Sequence, residues 1–146
     1  MGVIIMKIML DEGAKMPTRA HEWDAGLDLY APEGNGVYGI TPCGGSVTID
    51  TGVHIQIPEG YVGFIKSKSG LMVKHHIVTD GTIDAHYTGS ISVKLFNHSM
   101  GLRYDVRPGD KIAQLVIVPC LLPELELVDS LEETDRGDNG FGSTGR

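Results

Sequence analysis

The sequence has 146 residues and a formal net charge of −7, with 12 lysines and arginines against 19 aspartates and glutamates. With 41% apolar and 21% charged residues, it has the composition of one globular domain and not that of a disordered chain. The acidic balance argues against a general nucleic-acid binder, because such a protein needs a basic face to neutralise phosphates.

The amino-terminal segment from Met1 to Leu10 is apolar and predicts a first β-strand. It is too short to cross a bilayer, and it lacks the basic start and small-residue cleavage site of a secretory signal. The two cysteines, Cys43 and Cys120, form neither a disulfide framework nor a C-x-x-C motif. We therefore expect a soluble intracellular protein with reduced thiols and no membrane partner.

Apolar residues alternate with polar ones in the middle of the chain, which predicts half-buried strands. The alternation covers residues 53–57, 61–65 and 91–96, and turn clusters rich in glycine and proline separate the segments. A nearly continuous apolar run at residues 112–118 predicts a strand covered on both faces. Leu125 and Leu127, set between acidic residues, predict one more strand.

The pattern allows only one short helix, from about Ser69 to His75. Many short strands joined by regular turns predict an all-β sandwich or jelly roll. Glycine makes up 20 of the 146 residues, about twice the roughly 7% of average proteins. So much glycine indicates many tight turns or a backbone that approaches a ligand closely.

Five short segments combine small residues with charges or hydroxyls. They are Ala25–Ala31, Lys66–Leu71, Gly81–Gly89, Arg107–Leu115 and the glycine-rich tail from Arg136. Singly, each has an ordinary structural explanation, such as a turn aspartate or the start of a helix. Together, and in this order, they resemble the five motifs of the homotrimeric dUTP pyrophosphatase (dUTPase) family, from about Met6 to Gly145.

The resemblance implies an all-β fold, a distorted jelly roll of the β-clip type with one short helix. Residues 1–130 are expected to form the jelly-roll domain, and residues 131–146 a flexible carboxy-terminal arm that carries the fifth motif. It further implies a homotrimer whose sites lie at subunit interfaces. The expected location is the cytoplasm, or the virion or host cytoplasm if the chain is viral, and the protein is not expected to be secreted.

The activity implied by the resemblance is hydrolysis of dUTP to dUMP and pyrophosphate, which lowers dUTP and supplies dUMP for dTTP synthesis. Water attacks the α-phosphorus, and Asp84 corresponds to the aspartate that acts as general base. A carboxylate suits this role because it can orient a water molecule and accept its proton. Mg²⁺ is expected on the substrate phosphates, and Asp28 is expected to reach the ion only through water.

The resemblance also assigns substrate contacts. Cations and hydrogen-bond donors must absorb the charge of a triphosphate. The residues with predicted substrate contacts are Lys68, Ser69, Gly70 and Gln114 at the phosphates; Asp80, Thr82, Ile83, Tyr87 and Ser92 in the third motif, with Tyr87 against the sugar; and Arg136, Phe141, Gly142 and Ser143 in the tail, with Phe141 over the uracil.

The chain departs from the family pattern at two site positions. Lys68 stands where the family usually has arginine, so it keeps the charge but loses the bidentate geometry. His86 replaces the second acidic residue of the third motif, which predicts greater sensitivity to pH near neutrality. The stretch between Leu71 and Gly81 also looks slightly shorter than in many relatives.

Three alternatives remain open at this point. A dCTP deaminase shares the fold family but needs a glutamate-centred site, whereas Asp84 and the Phe141 tail favour dUTP hydrolysis. A weakly catalytic relative that binds nucleotide and signals through another protein is disfavoured by the complete set of motifs. A purely structural jelly roll leaves Asp84, Arg136 and Phe141 unexplained as a set.

Overall fold

The computed structural model describes residues 2–145. Within that range it has ten strands and one short helix. In chain order they are β1 (Lys7–Leu10), β2 (Gly26–Tyr30), β3 (Tyr38–Ile40), β4 (Gly45–Gln56), β5 (Tyr61–Lys66), α1 (Ser69–His75), β6 (Ile77–Val78), β7 (Asp80–Ile83), β8 (Ser90–Asn97), β9 (Tyr104–Val106) and β10 (Lys111–Pro119). The all-β class with one short helix is confirmed, as are the strand at the amino-terminal segment and the helix from Ser69.

The strands form two four-stranded antiparallel sheets and a small pair. One sheet has the order β1-β4-β8-β6, the other β2-β10-β5-β7, and β3 pairs with β9. Both large sheets contribute to one apolar core, which includes Leu29, Ile49, Ile65, Val93 and Leu115. The topology places β7 at one edge of its sheet.

Strand β8 shows how the sequence pattern produces burial. Ile91, Val93 and Leu95 are buried, whereas Ser92 and Lys94 between them are exposed. Successive side chains of a strand point to opposite faces, so the alternation buries one face only. In β10 the run at residues 112–118 is buried in its first half and only half-buried from residue 116 onward. The prediction of a strand covered on both faces therefore holds best near its start.

The helix α1 ends at His76, whose φ of 58° lies in the left-handed region. This residue donates its backbone N–H to the carbonyl of Met72 at 3.1 Å. Such a turn closes a helix by satisfying a carbonyl of the last turn. The short helix therefore turns the chain back at once into β6.

The strand predicted around Leu125 and Leu127 is wrong. Residues 120–145 contain no strand, and these two side chains are 95% and 100% exposed. Alternation buries a face only where a neighbouring strand supplies hydrogen bonds and a core, and this segment leaves the sheet after β10. Within residues 2–145 no helix is long and apolar enough to span a membrane.

Candidate active site

The carboxylate of Asp28 is the centre of the first cluster of candidate residues. Asp28 lies on β2 and is only 4% exposed. Lys68 donates from Nζ to its Oδ1, and Lys111 donates from Nζ to its Oδ2 at 3.0 Å. Both carboxylate oxygens therefore carry an ammonium partner, as a buried carboxylate requires.

A bulge brings two residues of β10 to the same side of the sheet. Lys111 lies opposite Tyr30 and Gln114 lies opposite Asp28, with a register shift between Lys111 and Ala113. In a regular strand, residues three apart point to opposite faces. The extra residue of the bulge changes this, so both side chains serve the Asp28 cluster.

Gln114 connects β10 to the segment that carries Lys68. Its Nε2 donates to the carbonyl of Ser67 at 3.0 Å. Gly26 makes room for this side chain, since a Cβ added there would lie 2.1 Å from Gln114 Oε1. A hollow of about 240 Å³ opens beside these residues, and Asp28, Lys68 and Gln114 all line it.

The charges of the cluster stabilise one another. Burial raises the pKa of Asp28, but hydrogen bonds from Lys68 and Lys111 and the charges of both lysines outweigh it, so the pKa lies below its ordinary value. The hydrogen bond to Asp28 in turn raises the pKa of Lys111. Each of these two shifts favours the charged form, the carboxylate of Asp28 and the ammonium of Lys111.

The same cluster decides how a metal ion fits. Within residues 2–145 no group of three histidine, cysteine, aspartate or glutamate residues is placed to hold a metal ion. Both oxygens of Asp28 already accept hydrogen bonds from lysine. Direct ligation of a metal ion by Asp28 would therefore have to displace a lysine from one of its oxygens.

The second cluster lies in the chain reversal of residues 84–89, which carries Asp84 and is called the hairpin below; it joins β7 of one sheet to β8 of the other, and these two strands are not paired with each other. Asp84 is exposed directly after β7, and its carbonyl accepts a hydrogen bond from the backbone N–H of Tyr87 at 3.2 Å. His86 has a φ of 71°, in the left-handed region that non-glycine residues seldom adopt. Its Nε2 lies 2.9 Å from Oε1 of Glu59, so the turn is tied to the β4–β5 connection.

Tyr87 folds back over the end of the same hairpin. Its hydroxyl donates to the carbonyl of Ser90 at 3.0 Å, and its side chain lies against Gly89, where an added Cβ would be 2.5 Å from the hydroxyl oxygen. The residue is still 47% exposed. One side of the ring is therefore fixed by the hairpin while about half of the residue stays accessible.

Asp84 and Thr82 line a larger hollow of about 620 Å³, together with Phe64, Cys120 and Leu122. This hollow and the one beside Asp28 have no lining residue in common. Within one chain the structure thus brings Asp28, Lys68 and Gln114 together, and Thr82, Ile83 and Asp84 together, but it does not join the two groups.

The remaining predicted site residues lie outside both hollows. Asp80 forms an ion pair with Lys66 at 3.0 Å, and Ser92 faces outward on β8 opposite Asp50. Ser69 and Gly70 are exposed in the first turn of α1. Tyr87 lies on the hairpin, and the tail residues Arg136, Phe141, Gly142 and Ser143 are exposed and line neither hollow.

The sequence prediction did not single out Lys111 or Ser67, which complete the Asp28 cluster. Both lie inside segments that stood out for their composition, Arg107–Leu115 and Lys66–Leu71. The sequence feature that could have indicated Lys111 is a charged residue at the start of a buried strand. Its side chain reaches Asp28 because of the bulge, which the sequence does not show. Ser67 acts through its backbone carbonyl, which leaves no trace in residue type.

Fold and site together define a jelly-roll protein of two antiparallel sheets, with a hollow in which the ion-paired Asp28 and Lys68 and the amide of Gln114 come together. A protein-family model for dUTPase matches residues 12–145. The probable deoxyuridine 5′-triphosphate nucleotidohydrolase of Schizosaccharomyces pombe is 45% identical over 137 residues, which cover 93% of this chain and 94% of that protein. The chain belongs to the dUTPase family.

Solved structures of phage enzymes agree with this assignment and with the jelly-roll prediction. The Staphylococcus bacteriophage 80alpha dUTPase with dUPNHPP superimposes with a TM-score of 0.89 at 34% identity, covering 99% of this chain and 100% of that one. A mutant dUTPase from phage phi11 of S. aureus, described for the coordination of a structural Mg(II) ion, gives a TM-score of 0.79 at 33% identity over 89% of this chain and 100% of that one.

Proposed function

We propose that this chain carries out the hydrolysis of dUTP to dUMP and pyrophosphate that defines its family, with Asp84 as the general base. The observation that carries this role is an exposed carboxylate directly after an edge strand, on the wall of a 620 Å³ hollow. Asp84 orients a water molecule toward the α-phosphorus and takes its proton as the bond to the pyrophosphate oxygen breaks.

The Asp28 cluster binds the triphosphate. The ammonium of Lys68 has three N–H donors, of which one serves Asp28, so two remain for phosphate oxygens. The Ser69 hydroxyl, the Gly70 N–H and the Gln114 amide add donors beside it. Donors fixed in advance stabilise the charge that develops on the leaving pyrophosphate.

Mg²⁺ enters as part of the metal–nucleotide substrate and neutralises phosphate charge. Asp28 faces it through water, because its two oxygens are held by lysines. The protein's own contribution here is to hold Lys68 and Lys111 in place beside Asp28.

The third motif recognises the nucleoside. In the described fold β7 pairs with β5 on one side only, so the backbone groups along its other edge are available to a base. Uracil contacts along this edge involve Asp80, Thr82 and Ile83, and the site extends to Ser92 on β8. The exposed face of Tyr87 packs on the deoxyribose and excludes a 2′-hydroxyl.

The complete site belongs to a homotrimer. The separation of the two hollows within one chain supports a site assembled from neighbouring copies, and so does the full exposure of Phe141. Residues 131–146 act as an arm that closes over the substrate of a neighbour. Phe141 stacks on uracil, while Arg136, Gly142 and Ser143 meet the phosphates and water is excluded.

The protein acts in the cytoplasm, or in the virion or host cytoplasm if the chain is viral. There it keeps dUTP low and supplies dUMP for dTTP synthesis. It is not secreted, and nucleic acid and membranes are not among its partners.

Pyrophosphate release from dUTP, dCTP, dTTP and UTP, with and without Mg²⁺, tests this function. We expect rapid Mg²⁺-dependent release from dUTP alone. Ammonia from dCTP would instead identify a deaminase-type relative. Nucleotide binding without turnover would identify a regulator, and either result would overturn the proposal.

A further inference from the structure

A histidine on β4 joins the hairpin of Asp84 to the first strand. Nδ1 of His54 lies 2.8 Å from the carbonyl oxygen of Thr88, near the end of the hairpin. Nε2 of the same ring lies 3.0 and 3.1 Å from the two carboxylate oxygens of Asp11, which directly follows β1. The imidazole thus bridges two segments that are far apart in sequence, and its side chain is only 20% exposed.

The chemistry of the two partners selects one protonation state. A carbonyl and an ionised carboxylate both accept hydrogen bonds and donate none. Neutral imidazole has a single N–H, so one of the two contacts would set a lone pair against an acceptor. Only the imidazolium form donates to Thr88 and to Asp11 at once.

The rest of the hairpin base is fixed close by. The Asp50 carboxylate accepts hydrogen bonds from the Ser90 hydroxyl and, at 2.9 Å, from the Gly52 backbone N–H. The pairing of β4 with β8 shifts its register between Asp50 and His54, so both side chains meet the start of β8. Thr88 and Ser90 are thereby held while Asp84, four residues before Thr88, stays exposed.

We propose that His54, in its imidazolium form, is a positioning residue that fixes the Asp84 hairpin against β1 and β4 and so sets where the general base stands. This inference rests on the proposed role of Asp84. Turnover then requires His54, a residue outside the five motifs. It also depends on the second ring proton of His54, which is not transferred during the reaction.

The charges around His54 favour this form. The loop after β1 contributes Asp11 and β4 contributes Asp50, both anionic. From β1, Lys7 lines a hollow of about 220 Å³ together with His54 and Thr88, and its positive charge opposes the imidazolium. The hairpin and β8 contribute the neutral carbonyl of Thr88 and hydroxyl of Ser90.

The balance of these contacts raises the pKa of His54 above 6.5. The hydrogen bond to the Thr88 carbonyl is the largest cause, followed by that to Asp11, and both outweigh burial. A raised pKa means that the folded form gains the contact below the unfolded pKa and loses it as the pH rises through the folded one. The hairpin therefore loosens on the alkaline side.

NMR titration of ring-labelled histidines in the assembled protein tests the contact without reference to activity. The His54→Gln variant assigns the resonance. We expect a midpoint above the roughly 6.5 of free histidine, and a lower midpoint in the Asp11→Asn variant. A midpoint that is the same in wild type and Asp11→Asn would overturn the inference.

Steady-state kinetics tests the positioning role. We expect His54→Gln to lower kcat for dUTP about tenfold, as displacement of a reacting group does, while KM stays within about twofold. We expect kcat to fall on the alkaline side as His54 loses its proton. In Asp11→Asn this fall should move to lower pH together with the NMR midpoint of His54, whereas in Asp11→Glu both should return toward their wild-type values. His98→Gln, an identical change beyond the far end of β8, is the control and should leave kcat unchanged.

The two proposals fail in different ways. Should Asp84→Asn retain turnover, the role of Asp84 is wrong, although the titration of His54 stands. Should Asp84→Asn lose turnover while His54→Gln and Asp11→Asn keep the wild-type kcat and pH profile, the positioning role alone is wrong. Asp11→Asn keeps the test decisive if His54→Gln folds poorly, because Asp11 lies on the surface and is 52% exposed.

Discussion

Two carboxylates of the same molecule, Asp28 and Asp84, have opposite surroundings. Asp28 is 4% exposed in the middle of a strand, and both of its oxygens accept hydrogen bonds from lysine. Asp84 stands exposed at the end of an edge strand, where its backbone and not its side chain holds the turn. The carboxylate of Asp28 is occupied by two lysine side chains, whereas the carboxylate of Asp84 is exposed and can bind water.

The contrast shows that the ion pairs of the first region are formed within one chain, whereas the carboxylate of the second region is open to solvent. Ion pairs taken out of solvent need fixed partners. Here β2 supplies Asp28, β10 supplies Lys111, and the segment between β5 and α1 supplies Lys68. A general base needs access to its substrate instead. Its surroundings are completed by the nucleotide and, in our proposal, by the arm of a neighbouring copy.

The largest expected effect separates the two carboxylates directly. Asp84→Asn removes the proton acceptor without changing size, so we expect kcat for dUTP to fall by about 10³-fold. Binding of a non-hydrolysable dUTP analogue, measured by calorimetry, and the melting temperature should stay near wild type. Near-normal turnover would remove Asp84 as the base.

Deleting residues 136–146 tests whether the arm acts on the substrate without contributing to the ion pairs of Asp28. Loss of the Arg136 donor and the Phe141 ring should lower kcat/KM by about 10²-fold. Size-exclusion chromatography should show an unchanged assembly, and acid unfolding should be unchanged because the Asp28 cluster is untouched. A fully active truncated enzyme would contradict the role of the arm.

A smaller effect is expected from Gly26→Ala in the organised region. The added methyl would lie 2.1 Å from Gln114 Oε1 and must push that side chain aside. The contact to Ser67 is then lost, and we expect about a tenfold fall in kcat/KM with less than about 1 kcal/mol of destabilisation. Gly101→Ala, where an added Cβ meets nothing within 4 Å, is the matched control. Equal kinetics for the two variants would show that Gln114 is dispensable.

The last effect is on stability in acid and not on rate. Because the pKa of Asp28 is lowered in the folded state, its ion pairs contribute stability that is present above its ordinary value of 3.8 and lost as the pH falls through the folded value. Asp28→Asn should destabilise the protein by about 2 kcal/mol at pH 7, a figure that allows for the partly exposed lysines. Denaturant unfolding should show this difference shrinking below about pH 4. A difference that is constant with pH would contradict the linkage.

Sequence patterns predicted β1, the second part of β4, β5, β8 and β10, the helix from Ser69 and the segments that hold both clusters, because alternation and turn residues are local properties. The position of Lys111 was not predictable, since it depends on a bulge in the pairing of β2 with β10. His54 looked like an ordinary member of an alternating strand. Its partners, Asp11 and Thr88, come together only through sheet order.

The error at Leu125 and Leu127 has the same origin. Their alternation is as regular as that of β8, but within the described residues no strand lies beside them. Seven of the 19 acidic residues fall between residues 124 and 138, so the segment is also strongly anionic. A local pattern predicts which face of a strand would be buried, but it does not show whether a neighbouring strand is present to cover that face.

The pairing of Lys68 with Asp28 has a consequence for how substrate arrives. In the protein without substrate, the ammonium of Lys68 is already paired with the carboxylate of Asp28. A triphosphate that binds here must either share the Lys68 ammonium with Asp28 or displace Asp28 from it. Association is therefore an exchange of one anion for another at Lys68 and not the binding of an anion to an unpaired cation. Asp28 keeps a compensating charge throughout this exchange, because Lys111 stays paired with its second oxygen.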